Sequence, residues 1–482
     1  MYTSALKGNR RVGSGWAICL ALSLLLVPAI AAAQSQAPNP ADDDFLAQFD
    51  MSRFLEPLYA DALPAWEAQG LRPVSDFYLE VWGGDFAEHE GQTEPRVVEE
   101  HAGRTGRILM WEEEDDTYHW DVEVPEDGLY WIGIEYYPLP GKRASAMRDL
   151  RVNGVYPFSE ARRLTFQRVW RDEGLPKQDN QGNDIRPRQI ETPQWQFRYF
   201  DDPEGMYIDP FFIPLKAGVN RLTLHSIREP IALRTIVIRS AEQLPTYAEV
   251  ARMYEERGYK KVQGVAIKVD AETPTLKSDP TIRAEYGFDP LSDPPSDGYW
   301  RLNEFGGWRW RKGGQWVTWT FTVPESGLYK IGVKSIQNWR HTPSTRAVMI
   351  DGKFPFEEMK QVVFYYDRYY GIPAISDRDG NPYLFYLEEG EHTITMEVKV
   401  GDNAETIRVL DLTTRELSYI GRAITYITGP NPDPYMEWEV HKRIPGLLPK
   451  LEEIRTRLLN EAARIESYAG KDVDIAEVFK LT

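Results

Sequence analysis

Apolar residues recur at every second position on either side of a Pro-x-x-Gly turn, and the chain does this twice. Trp120, Val122 and Val124 lead into Pro125 to Gly128, and Tyr130, Ile132 and Ile134 lead out. Trp319, Phe321 and Val323 lead into Pro324 to Gly327, and Tyr329, Ile331 and Val333 lead out. Period-two patterning around a tight turn predicts a β-hairpin with one buried face. Two further blocks repeat in the same order. Leu150 and Val152 precede the turn Asn153-Gly154, with Pro157, Phe158 and Glu160 after it. Met349 and Ile350 precede Asp351-Gly352, with Pro355, Phe356 and Glu358 after it. Asn-Gly and Asp-Gly are strong hairpin turns because both tolerate positive φ. The third block aligns Leu215, Gly218, Asn220, Leu222 and Leu224 with Leu387, Gly390, His392, Ile394 and Met396.

The duplication extends upstream. Tyr59, Asp61, Trp66, Glu67 and Gly70 parallel Tyr247, Glu249, Tyr254, Glu255 and Gly258, so each copy opens with a short helix ending at glycine. Thr246 and Glu249 have capping-box spacing. Beyond Pro434 the period changes: Leu451, Ile454, Leu458, Leu459, Ala462 and Ile465 lie three and four apart, predicting an amphipathic helix of about five turns. That helix packs back on the second sandwich or docks to a protein partner. The pattern therefore predicts a mainly β chain of two antiparallel β-sandwiches, each preceded by a short helix, plus a C-terminal amphipathic helix. Its segments are 54–245, 246–433 and 434–482.

The N-terminus reads differently. Lys7, Arg10 and Arg11 precede an apolar run from Trp16 to Ala33 that closes on Ala31, Ala32 and Ala33. This is the pattern of a secretory signal peptide over 1–33, with a polar, flexible stretch over 34–53. It places the mature chain in the periplasm or outside the cell. No later run reaches the roughly 18 apolar residues of a membrane span. The single cysteine, Cys19, falls inside the signal, so the mature chain has neither disulfides nor thiolate metal ligands.

Charge and chemistry narrow the function. A formal net charge of -18 without a basic run argues against nucleic acid and anionic membrane as partners. None of the seven histidines forms a local ligand pair, and neither a Gly-x-Ser-x-Gly elbow nor a phosphate-cradling loop occurs. A dispersed pair of carboxylates, as in glycosidases, needs no sequence spacing and stays open as an enzyme reading.

Sugar binding asks for an aromatic face beside amides or carboxylates. The second copy has Trp308, Trp310 and Trp316 before its first hairpin strand, and Asn338, Trp339 and Arg340 where that hairpin ends. Trp316 and Trp319 stand one residue out of phase, so at least one belongs to the core. An irregular stretch between the second and third blocks holds Trp170, Trp195 and Tyr199 in the first copy, and Tyr365, Tyr366, Tyr369 and Tyr370 in the second. Long loops on a rigid sandwich commonly carry binding. The candidate ligand residues are thus Trp308, Trp310, Asn338, Trp339, Arg340 and Tyr366, with Trp111 and Trp170 in the first copy.

At these blocks a resemblance appears. The run from Trp319 through Pro324, Gly327 and Tyr329, followed by Leu387, Gly390, His392 and Ile394, resembles galactose-binding-like jelly-roll carbohydrate-binding modules. Residues from about 246 to 465 resemble the front part of large extracellular solute-binding proteins of sugar ABC importers. The matching stretches include Ser278-Asp279-Pro280, Ile336-Gln337-Asn338 and Gly429-Pro430-Asn431-Pro432. The resemblance implies jelly-roll topology, carbohydrate as ligand and a structural calcium, for which Asp270, Glu272 and Asp411, the last in a late strand, are the matching carboxylates. Those proteins continue into a two-lobed solute-binding domain, whereas this sequence stops at Thr482, so a partner supplying that part is expected. The reading is an exported, non-catalytic carbohydrate-binding or accessory protein of a sugar-uptake or polysaccharide-handling system. The alternatives are an assembly subunit whose sandwiches bind protein, and a polysaccharide-active enzyme.

Overall fold

The computed structural model of the chain describes residues 45–50, 55–339 and 342–469. The signal sequence and Arg340 lie outside them. The described residues fall into two compact units, one of residues 45–50 with 413–454 and one of 55–412 with 455–469. Both sandwiches belong to the second unit. The chain is mainly β, with two antiparallel sandwiches, a short helix before each, and helices toward the C-terminus.

The first sandwich is complete. Its larger sheet has seven strands and the facing sheet five. The hairpin strand Gly128–Pro138 lies in the larger sheet between two neighbours. On one side are Gln196–Tyr199 and Phe212–Leu215, and on the other is the closing strand Ile231–Arg239. The closing strand also pairs with Tyr78–Trp82 and Arg104–Trp111, which puts it at the centre of its sheet. Its own sequence explains the position: Ile231, Leu233, Ile236 and Ile238 are buried against Trp120, Ile132, Ile134 and Leu222.

The second sandwich repeats the local devices of the first. Each lead-in helix, Tyr59–Ala68 and Tyr247–Glu256, has its first amide bonded to the glutamate of the Pro-Phe block. Tyr59 N donates to Glu160 (2.9 Å) and Tyr247 N to Glu358 (2.9 Å). A carboxylate there satisfies a free amide and suits the positive end of the helix dipole. The Tyr59 hydroxyl accepts from Phe212 N, and the Tyr247 hydroxyl from Leu384 N. The capping box at Thr246 and Glu249 is formed.

The copies part after the last repeated strand. In the first, Gly218–Arg228 turns into the closing strand. In the second, Gly390–Lys399 runs into a helix, Asn403–Thr428. Of the stretch 403–433, assigned by sequence to the second sandwich, residues Asn403–Thr428 are thus helical. The physical reason is its helical spacing: Thr413, Glu416, Ile420 and Ala423, three and four apart, are buried while Leu417 and Tyr426 are exposed. Among the described residues no strand takes the closing position: Gly327–Tyr329 pairs with Phe385–Leu387 and is met on its other edge by a single bridge from Leu328 to Lys261, and Ser335–Gln337 pairs with Asp367–Gly371. Ile132 and Ile134 are fully buried, whereas their counterparts Ile331 and Val333 are only partly so.

The other sheet of the second sandwich is extended by the first copy. Its order is Gln189–Glu191, Trp170–Asp172, Leu276–Lys277, Trp316–Val323, Gly390–Lys399, Ser344–Ile350 and Val362–Phe364. The first two strands come from the irregular segment of the first copy. Lys277 is fully buried there, and its ammonium reaches Asp172 at 2.8 Å. Elsewhere along this seam Gln167 Nε2 donates to Gly314 O (2.9 Å) and Val400 N to Gly205 O (2.9 Å). A Cβ on Gly313 would stand 1.5 Å from the Glu204 carbonyl oxygen, so backbone approach requires glycine there.

The predicted C-terminal helix spans Leu447–Ala469. It meets the Asn403–Thr428 helix, which the sequence reading had not separated from the sandwich. In one compact unit Lys450 pairs with Glu416 (2.7 Å), and in the other Arg464 bonds Thr406 (3.0 Å) and Glu461 (2.6 Å). No helix among the described residues is long and apolar enough to cross a membrane.

Candidate functional site

The sequence offered eight ligand residues, and the structure sorts by burial the seven that are described, Arg340 lying outside them. Trp111 is fully buried and Trp170 is 5% exposed. Trp310 is 8% exposed, its Nε1 donating to Gln315 O (3.1 Å). These three are framework residues. Trp111 and Trp310 have one job in the two copies, because an arginine lies over each ring, fully buried at Arg148 and half-buried at Arg346. Arg148 is 4.3 Å from the Trp111 centroid and Arg346 is 4.7 Å from that of Trp310. Burial pulls the guanidinium groups down to about 9 and about 10. Backbone carbonyls of Met147 and Thr345 accept from the equivalent Nη1 atoms at 2.8 Å. Trp170 is consumed by the seam, where it stands opposite Lys277.

Trp308 and Trp339 behave differently. They are 65% and 54% exposed, with ring centroids 5.3 Å apart and planes at 75°. Trp308 sits on the short turn Gly307–Arg309, entered through Gly306 and Gly307 at φ of 130° and 51°. This turn is why Trp308 and Trp310, two apart, go to different places: a regular strand would have put both on one face. Arg311 lies 4.5 Å over the Trp308 ring and fixes it from one side. Trp339 follows the strand Ser335–Gln337, where Gln337 Nε2 holds the turn through Thr342 O (2.9 Å).

Gln337 stands opposite Asp367, so antiparallel register brings exposed Asn338 and half-buried Tyr366 to the same hairpin end as Trp339. The Tyr366 hydroxyl accepts from Arg368 Nε at 3.2 Å. Exposed Tyr365 and Tyr369 belong to the same segment. The site is thus two rings at a steep angle, with an amide and a phenol close by in register. One ring can take the apolar face of a pyranose while the other borders its edge.

The metal expectation is corrected in one respect. Asp411 lies in the Asn403–Thr428 helix, where a late strand had been expected, because amphipathic spacing wins over the β-branched residues around it. Asp270 pairs with Lys268 (3.0 Å), and Glu272 lines a cleft at the seam, where burial pushes its carboxyl above the ordinary value. No group of three or more His, Cys, Asp or Glu side chains among the described residues is placed to hold a metal ion. Sequence reasoning missed this cleft, since its two walls come from segments about 100 residues apart.

Residues 405–482 match the family described as bacterial solute-binding protein, 4-helix bundle domain. No curated protein matches the chain. Among solved structures, a Podospora anserina β-(1,4)-mannanase of the GH26-CBM35 type is similar at 13% identity and a TM-score of 0.22. The match covers 38% of this chain and 35% of that one. A family 35 carbohydrate-binding module from Clostridium thermocellum is similar at 16% identity and a TM-score of 0.21, covering 34% of this chain and 100% of the module. A family 6 module of Cellvibrio mixtus lichenase 5A, solved with cellotriose, is similar at 13% and 0.19, covering 34% and 98%. At such identities and scores no function is carried across.

Proposed function

We propose that this chain is an exported carbohydrate-binding or accessory protein of a sugar-uptake or polysaccharide-handling system, and that its second sandwich is the binding half. The observation that carries the reading is the exposed pair Trp308 and Trp339, at 5.3 Å and 75°, beside Asn338 and Tyr366. Two large rings held apart from the core in one place are uncommon without a ligand, and steep pairs grip a flat saccharide from face and edge. The match of residues 405–482 to a bacterial solute-binding protein domain supports the uptake setting. Residues 1–33, with their secretory pattern, support export. The reading assigns the chain recognition and no reaction.

Intrinsic tryptophan fluorescence tests it. Titration with oligosaccharides from a broad plant, algal and bacterial panel should shift the emission of the mature chain, and Trp308→Ala should remove most of that shift. Losing the contact of one buried aromatic ring costs about 1.5–3 kcal/mol, roughly a 10- to 150-fold weaker Kd. A silent panel together with a stoichiometric protein partner on purification would favour the assembly reading instead. Release of new reducing ends would favour an enzyme.

A further inference from the structure

The seam between the sandwiches encloses a cleft of about 230 Å³. One wall is the first copy's irregular segment, with Asp172, Arg186 and Gln189, and the other is the second copy's leading segment, with Glu272 and Arg283. The walls are tied by specific bonds, so the cleft is a built feature. Arg186 pairs with Glu285 (2.8 Å) and lies 4.3 Å over Tyr286. Asp184 accepts from Leu302 N (3.0 Å) and Arg301 Nη1 (3.0 Å).

Two lining side chains carry buried atoms with no hydrogen-bond partner in the protein: Gln189 Oε1, an acceptor, and Arg283 Nε, a donor. Buried polar atoms are nearly always paired, so an unmatched acceptor and donor in one cleft mark where a ligand's polar groups belong. The charges indicate which ligand. Asp172 and Glu272 face Arg186 and Arg283, an even balance that disfavours an anion as much as a cation. Pro176, Pro187 and Pro274 add rigid apolar surface. Mixed donors and acceptors on apolar walls suit a ring with hydroxyls at its edge and C–H on its faces. The volume is below the roughly 300 Å³ at which pockets for larger ligands begin, which limits the occupant to a single ring.

We propose that the seam cleft is a second binding site, taking one neutral polyhydroxylated ring such as a monosaccharide or cyclitol. It shares no residue with the Trp308 and Trp339 pair, goes beyond the function proposed above, and can fail independently of it. Both copies contribute, so the site exists only in the fused pair of sandwiches.

Calorimetric titration and saturation-transfer NMR of the full mature chain with D-glucose, D-galactose, D-mannose and myo-inositol provide the test. At least one should bind, Gln189→Ala and Arg283→Met should each weaken it at least tenfold, and the double variant W308A/W339A should leave it unchanged. If Arg283→Met does not fold, Gln189→Ala decides alone, with its melting temperature as the control. Failure of all four probes to bind the wild-type chain overturns the proposal, as does binding that Gln189→Ala leaves intact. Oligosaccharide binding lost in W308A/W339A while these probes stay silent would sink the seam site and keep the proposed function. Probe binding at the seam with no oligosaccharide response at the tryptophans would do the reverse.

Discussion

The two sandwiches share their inner devices and differ at one strand. Both hold the lead-in helix by a glutamate on its first amide, and both lay an arginine over a tryptophan. The first copy then closes its larger sheet with Ile231–Arg239, while the second turns into a helix at Asn403. A strand at the centre of a sheet covers neighbours on both edges, so its absence leaves the second copy open where the first is sealed. Exposed Trp308 and Trp339 belong to that open copy, whereas Trp111 and Trp170 of the first copy are buried. On the proposed reading, the first sandwich is chiefly framework and the second is the one that meets a ligand.

Matched substitutions should break the comparison most sharply. Ile132→Ala, in the fully buried position, is expected to cost about 2–5 kcal/mol, as large-to-small core changes do. Ile331→Ala, its counterpart, should cost less than half as much because its site is already partly open. Urea unfolding of both variants checks this, and equal losses would mean that the second copy is as well covered as the first. Hydrogen exchange should sharpen it further. Amides of Trp131, Gly133 and Glu135, which face the closing strand, should exchange only on global opening. Those of Lys330, Gly332 and Lys334 should exchange far faster, at rates nearer to a loop.

The smallest expected effect concerns one hairpin turn. In the first copy, amides hold it: Asn153 Nδ2 donates to Asn220 Oδ1 at 3.1 Å. In the second, His392 Nδ1 meets Asp351 at 2.7 Å and His392 Nε2 meets the Glu388 carbonyl at 2.8 Å. Two acceptors on one imidazole favour the doubly protonated ring. Desolvation works against the charge, but the bonds to Asp351 and Glu388 outweigh it and raise the His392 pKa. A raised folded-state pKa contributes stability that is present below the unfolded value of about 6.5 and is lost as pH rises through the folded value. Melting temperature measured from pH 5 to 9 should therefore fall slightly more in the wild type than in His392→Asn, and the difference should vanish at the alkaline end.

Much of this fold was legible because period-two blocks and Pro-x-x-Gly turns are local. The Thr246 capping box was legible for the same reason. What escaped depends on distant segments. Ile407, Val409, Thr413, Thr414 and Ile420 read as strand formers, and packing of their helical face overrides that preference. Trp170 looked like a loop aromatic until Lys277 was found opposite it. For the site, aromatic residue type was visible but burial was not: Trp308 and Trp310 differ only through the positive-φ glycines that precede them.

The central claim is that ligand recognition belongs to the open copy. Glycan-array binding of the mature chain, repeated with the double variant W308A/W339A and with Tyr78→Ala on the exposed face of the first sandwich, tests it most directly. The account predicts glycan signals that W308A/W339A abolishes and Tyr78→Ala leaves intact, with melting temperatures unchanged in both. Signals that survive in W308A/W339A, or that disappear with Tyr78→Ala, would contradict it.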